Sequence, residues 1–196
     1  MINILDKQIA DKIAAGEVIE RPVSIIKELI ENSIDAGADS IVVEIKKGGK
    51  SYIRVTDNGC GISEEDVEKA FMRHATSKIS SVSDLDSIGT LGFRGEALAS
   101  VAAVTRTELL TKRKEDKVGT RLIIHGGEII SHQAVGCPAG TTLIITDLFY
   151  NTPARQKFMK SDSAESSMII ELVSQLALAY TDIAFRLINN ENVLFA

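Results

Sequence analysis

The sequence predicts an α+β fold, a two-layer sandwich in which helices cover one face of a mixed, antiparallel-rich sheet. Apolar residues recur at helical spacing in residues 24–36 and again in 164–180, with short strand-like runs between and beyond them. Gly48-Gly49 and Gly126-Gly127 stand between neighbouring strand-like runs, where hairpin turns belong.

The 196 residues, 44% of them hydrophobic, suit one domain with a sizeable core, or a domain and part of another. No run of about 18 apolar residues occurs, so no membrane-spanning helix is expected. The opening residues MINILDKQIADKIAAGE mix acidic with apolar side chains, unlike a secretory signal, and a cytoplasmic location is the default. Cys60 and Cys137 lie far apart and form no C-x-x-C pair, which argues against a disulfide framework or a zinc site. A net charge of −5 gives no support for gripping nucleic acid over the whole surface. The basic clusters Lys112, Arg113, Lys114 and Arg155, Lys157, Lys160 fit a solvated loop or helix face better than a phosphate track.

After a short arm (1–20), residues 24–36 (SIIKELIENSIDA) form the first helix, with Pro22 in its first turn and Gly37 ending it. Ile25, Ile26, Leu29, Ile30 and Ser33 fall on one side, and Ser24, Glu28, Glu31, Asn32 and Asp35 on the other. Residues 41–46 and 52–56 make a hairpin, and Ser63 caps a helix to about Met72. Residues 73–90, rich in serine, read as a long mobile connection, and a loop of that length inside a domain is usually functional or disordered. A small-residue helix (97–104) follows, then strands at 107–111, 120–125, 128–131 and 142–147. A short helix begins in 151–155, a long one covers 164–180, and a last hairpin turns about Asn189-Asn190.

Chemistry is concentrated in a few places. On the first helix, Glu28 and Asn32 are one turn apart, and a carboxylate and an amide oxygen aimed the same way can hold a hard cation and orient a water. A solvated acidic face would show the same pattern. Asp57-Asn58-Gly59-Cys60-Gly61 ends a strand with an acceptor-only carboxylate, which takes an amino proton from a flat base but cannot pair with a carbonyl. Its glycines permit positive φ and close approach of a ligand, although an ordinary Asp-Asn-Gly turn has the same residues. Gly92-Phe93-Arg94-Gly95 precedes a helix, where backbone N–H groups can receive phosphate, with Arg94 and Lys78 adding charge or lying in solvent. No G-x-x-x-x-G-K-[ST] spacing occurs. Gly140-Thr141-Thr142 begins a strand whose hydroxyls can contact a base, or simply reflect β-branched preference. His74, His125 and His132 show no metal-ligand spacing and are read as structural or surface residues.

In this order, E-x-x-x-N on a helix, D-x-G-x-G after a strand, a long lid, a glycine-rich helix start and G-T-T resemble the Bergerat-fold or GHKL ATPases, the family of gyrase, a heat-shock chaperone, histidine kinases and MutL. IAAGEVIERP (13–22), KELIENSIDAGA (27–38), DNGCGI (57–62), RHATSK (73–78), LGFRGEALAS (91–100) and DLFYNTPARQKF (147–158) are similar to the MutL branch, the DNA mismatch-repair ATPases. The likeness covers nearly the whole chain.

The resemblance implies ATP and Mg²⁺ as cofactors. It implies Glu28 as the general base that positions the attacking water, and Asn32 as the magnesium ligand. It assigns Asp57 to the adenine, with Gly59, Gly61 and Ile62 shaping the base pocket, Thr142 beside it and Asp35 also at the nucleotide. Residues 73–96 match the ATP lid, with Thr76, Ser77, Lys78 and the backbone of Gly92, Phe93, Arg94, Gly95 and Glu96 around the phosphates. Residues 1–19 would be an arm exchanged when ATP closes a homodimer, and 20–196 the ATPase domain. The family completes its site with a lysine from a transducer domain, and that domain, the C-terminal domain and most of the DNA groove lie outside this sequence. A monomer with weak ATP binding and slow hydrolysis is therefore expected, with a MutS-like protein and DNA as partners of the longer protein in a bacterial cytosol or nucleoid. A topoisomerase ATPase domain would show a different lid, and a histidine kinase would need a histidine that residues 1–20 lack. A non-catalytic module switched by ATP to recruit a partner would not need Glu28.

Overall fold

The structure, a computed structural model, describes residues 15, 16, 18–75 and 95–196. Helix α1 (Pro22–Asp35) opens with proline in its first turn, where no helical N–H is required. It closes through Gly37 in the left-handed region (φ 70°). There Gly37 N donates to Ile34 O at 2.9 Å and Ala38 N to Ser33 O at 3.1 Å, which satisfies two carbonyls that the helix leaves open. The chain then reverses into strand β1 (Ser40–Lys46), a 3₁₀ turn (Lys47–Gly49) and strand β2 (Tyr52–Asp57), the antiparallel hairpin the sequence indicated.

Helix α2 (Glu64–Val67) is shorter than expected, passing into a 3₁₀ turn at Lys69–Phe71. Ser63 precedes it but does not cap it. Its hydroxyl donates to Asp66 Oδ2 at 2.8 Å, while the N–H groups of Asp66 and Val67 donate to the Ser63 carbonyl at 3.0 and 3.1 Å and not to the hydroxyl. Helix α3 (Ala97–Ala103) leads into β3 (Arg106–Lys112), β4 (Gly119–His125), β5 (Glu128–Val135) and β6 (Gly140–Thr146). Helices α4 (Pro153–Gln156) and α5 (Asp162–Ala179) and strands β7 (Ala184–Asn189) and β8 (Asn192–Phe195) complete the chain. The final turn sits one residue later than the sequence indicated, at Asn190 and Glu191, both at positive φ, with Asn189 paired to Asn192.

The sheet has eight strands in the order β5-β4-β3-β6-β2-β1-β7-β8. Its β1–β7 pairing is parallel and the other pairings are antiparallel, so it is mixed and antiparallel-rich as expected. Alternate residues of the inner strands, among them Ile41, Val43, Ile53, Val55, Leu109 and Ile145, are buried on one face. Ile25, Ile26, Leu29 and Ile30 of α1 and Ile169 and Val173 of α5 pack into the same core. Each such side chain contributes about 1.5–3 kcal/mol relative to an exposed one, which is ample to hold α1 against the sheet. Glu31, on the polar side of α1, is not solvated. It is only 9% exposed, because Lys27 one turn earlier pairs with its carboxylate at 2.7 Å and spares it an unpaired charge.

The DLFYNTPARQKF segment forms an elbow behind α3. Fully buried Phe149 sits at φ 62°, held by its N–H on Val104 O at 2.8 Å, while Asn151 Nδ2 donates to Ala103 O at 2.9 Å. A bulky residue in that region costs on the order of 1–3 kcal/mol, which these contacts and its burial offset. Arg155, read as surface or phosphate track, donates to Ile19 O at 3.4 Å and lies over the Phe149 ring.

Candidate functional site

The polar side of α1 does not face open solvent. It forms one wall of a cleft of about 1200 Å³ between α1, the ends of β2 and β6, the 57–62 turn, α2 and the start of α3. Glu28, Asn32 and Asp35 line the cleft from α1, Asp57, Gly61 and Ile62 from the end of β2 and the turn after it, and Gly95 and Glu96 from the start of α3. Residues distant in sequence thus converge as the motif order indicated. Thr76, Ser77, Lys78, Gly92, Phe93 and Arg94 lie outside the described residues.

Asp57 is held on three sides. Its Oδ1 accepts from Gly59 N at 2.9 Å and from Thr141 N at 3.2 Å, and its Oδ2 from Ser33 Oγ at 2.8 Å. These donors leave part of Oδ2 for a further donor from the cleft, since a carboxylate has about four acceptor sites. The turn is pinned from both sides: Cys60 N donates to Ala36 O at 2.9 Å, and Ile62 N to Thr111 Oγ1 at 2.9 Å. Gly59 lies behind the cleft against Ala36, where a Cβ would come within 2.9 Å of Ala36 Cβ. Gly61, at φ 73°, passes so close to the Lys112 carbonyl that no side chain fits.

Thr142 does not lie beside Asp57. Strand alternation turns it to the opposite face, where its hydroxyl donates to Thr56 Oγ1 at 3.1 Å. Thr141, in register with Asp57, lines the cleft instead. Buried Ser33, which helical spacing puts on the core side of α1 and not in the site, is the side chain that anchors Asp57. His74, read as surface or structural, also reaches the cleft, with Nδ1 3.3 Å from Glu96 Oε1.

Carboxylates dominate the described lining: Glu28, Glu31, Asp35, Asp57, Asp66 and Glu96, against Lys27, Lys69 and Arg113. Each of these cations is already engaged. Lys27 pairs with Glu31, Lys69 with Asp66 at 2.8 Å, and Arg113 with Asp116 through two bonds of 2.9 Å. The hydrogen bond to Glu31 raises the Lys27 ammonium above its usual range, against the effect of burial, with the charges of Glu31 and Glu28 adding to the rise. No cluster of three or more His, Cys, Asp or Glu placed to hold a metal occurs among the described residues. The oxygens of Glu28 and Asn32 suit a hard cation that brings its own ligands.

The family model for histidine kinase-, DNA gyrase B- and HSP90-like ATPases matches residues 20–136. The chain is 56% identical over 189 residues to the DNA mismatch repair protein MutL of Agathobacter rectalis, covering 96% of this chain and 29% of that protein. It is 53% identical over 194 residues to MutL of Caldanaerobacter subterraneus, covering 99% of this chain and 33% of that one. It therefore spans about a third of the length of these curated relatives. Among solved structures, the Aquifex aeolicus MutL ATPase domain complexed with ADP is similar with a TM-score of 0.75 and 35% identity, covering 91% of this chain and 63% of that one. The N-terminal domain of a DNA repair protein is similar with a TM-score of 0.79 and 28% identity, covering 95% and 55%.

Proposed function

The chain belongs to the histidine kinase-, DNA gyrase B- and HSP90-like ATPases, and from that premise we propose that it is the N-terminal ATPase domain of a MutL-like DNA mismatch-repair protein. The observation that carries this reading is the cleft, whose lining includes a firmly anchored acceptor, Asp57, together with Glu28 and Asn32. A purine amino group would donate to Asp57, with Gly61 and Ile62 forming the wall and Thr141, in place of Thr142, beside the base. The triphosphate would run along α1 towards Glu28.

The described walls supply little uncommitted positive charge, so a nucleotide tail needs charge from elsewhere. Magnesium bound with the nucleotide would be held by the Asn32 amide oxygen, and it supplies neutralisation of the phosphate oxygens. Glu28 then accepts a proton from the attacking water, a task for a carboxylate within hydrogen-bond reach. Asn32, being neutral, adds no repulsion beside the phosphates. Asp35 and the Gly95–Glu96 backbone border the tail. Thr76, Ser77, Lys78 and residues 92–94 would form the lid.

Hydrolysis by this chain alone would be slow and the chain monomeric. In the longer protein, ATP would close a homodimer through the residue 1–19 arm and couple recognition by a MutS-like partner to repair on DNA in the cytoplasm. The test is ATP-dependent phosphate release by the longer protein, with Glu28→Ala as control. Binding retained with turnover lost fits the assignment. Equal loss of both would remove Glu28 as base, and turnover surviving the substitution would do the same.

A further inference from the structure

Thr111 is 1% exposed on β3, one strand beyond the cleft, and does not line it. It stands in register with Thr141 of β6, which is in register with Asp57 of β2, so the three lie in a row on the helix-covered face. Thr111 Oγ1 has three partners: Ile62 N at 2.9 Å, Gly140 O at 3.1 Å and Thr141 Oγ1 at 3.1 Å. A hydroxyl has one proton to give and two lone pairs to receive. The Ile62 N–H takes one lone pair. The Gly140 carbonyl can only accept, so it takes the proton. The second lone pair is left for the proton of Thr141.

This arrangement satisfies all three partners at once, and it has a consequence for the neighbouring cleft. With its proton committed to Thr111, Thr141 shows only lone pairs to a ligand. Asp57 likewise accepts only. We infer that Thr111 is a positioning residue that makes the base end of the cleft acceptor-only, and thereby selects a purine bearing an exocyclic amino group over one bearing an oxo group at that position. Removing the Thr111 hydroxyl frees the Thr141 proton to turn inward, where an oxo group can receive it. The same loss releases the Gly140–Thr141 strand start, whose Thr141 N–H helps anchor Asp57.

The inference rests on the nucleotide reading above, and the two are tested by different numbers. Titration of the chain with ADP tests the reading; the ratio of inosine diphosphate to ADP dissociation constants tests Thr111. In Thr111→Val that ratio should fall by roughly tenfold, the worth of one hydrogen bond, while Thr111→Ser keeps the parent ratio. Thr111→Cys, whose thiol is a weak donor, should behave like Thr111→Val and serves if the valine protein does not fold. A ratio unchanged in the valine or cysteine protein, or both nucleotides weakened equally, would overturn the inference. Failure of the parent chain to bind ADP would overturn it together with the reading it rests on.

Discussion

Asp57→Asn separates what Asp57 does for the fold from what it does for a ligand. The amide must keep its oxygen where Oδ1 now stands, because Gly59 N at 2.9 Å and Thr141 N at 3.2 Å both donate there. Its NH₂ then replaces Oδ2, facing Ser33 Oγ at 2.8 Å. Ser33 can accept that proton and give its own to Leu29 O, 3.0 Å away. All three protein contacts survive, so the melting temperature should stay close to that of the parent. The cleft, however, now meets a donor where an acceptor stood. An amino group on the ligand loses its partner and faces a like group, at a cost of about 1–3 kcal/mol. That corresponds to a rise of roughly 5- to 150-fold in the ADP dissociation constant, measurable by calorimetric titration. An unchanged constant would take Asp57 out of base recognition. A large drop in melting temperature would refute the rearrangement at Ser33.

Gly61→Ala should lower stability by about 1–3 kcal/mol, since its Cβ meets the Lys112 carbonyl at φ 73° and the turn, pinned at Cys60 and Ile62, cannot retreat from β3; an unchanged denaturation midpoint would contradict this. Asp66 gives a pH-dependent prediction. Hydrogen bonds from Lys69 first and Ser63 second hold its carboxyl below the ordinary 3.8, so its contribution is present above that pH and lost as the pH falls through the lower folded value. Asp66→Asn should therefore melt slightly lower than the parent at pH 6 and coincide with it in strong acid. The effect is small because the pair is exposed. A difference that grows on acidification would have the wrong sign.

Features with a local cause were legible in the sequence. The apolar stripe of α1, its proline start and its glycine stop each rest on a few adjacent residues, as do the two Gly-Gly hairpins. Features set by register were not. Thr141 and Thr142 are identical neighbours, and only the pairing of β6 with β2 decides which faces the cleft. Ser33 sits at an apolar position of α1, so periodicity put it in the core, and only the sheet brings Asp57 to its hydroxyl. The burial of Glu31 was not legible, because a helical wheel gives its side of the helix but not the cleft that side lines or the Lys27 pairing that neutralises it. The parallel β1–β7 pairing joins strands separated by most of the chain, and nothing between them signals it.

The most direct measurement is a crystal structure of the protein with magnesium and a non-hydrolysable ATP analogue. The base should lie with its amino group on Asp57 and Thr141 beside it, the metal on Asn32, and a water between Glu28 and the terminal phosphate. Ligand density away from this cleft, or a base turned from Asp57 with its phosphates remote from Glu28, would contradict the account.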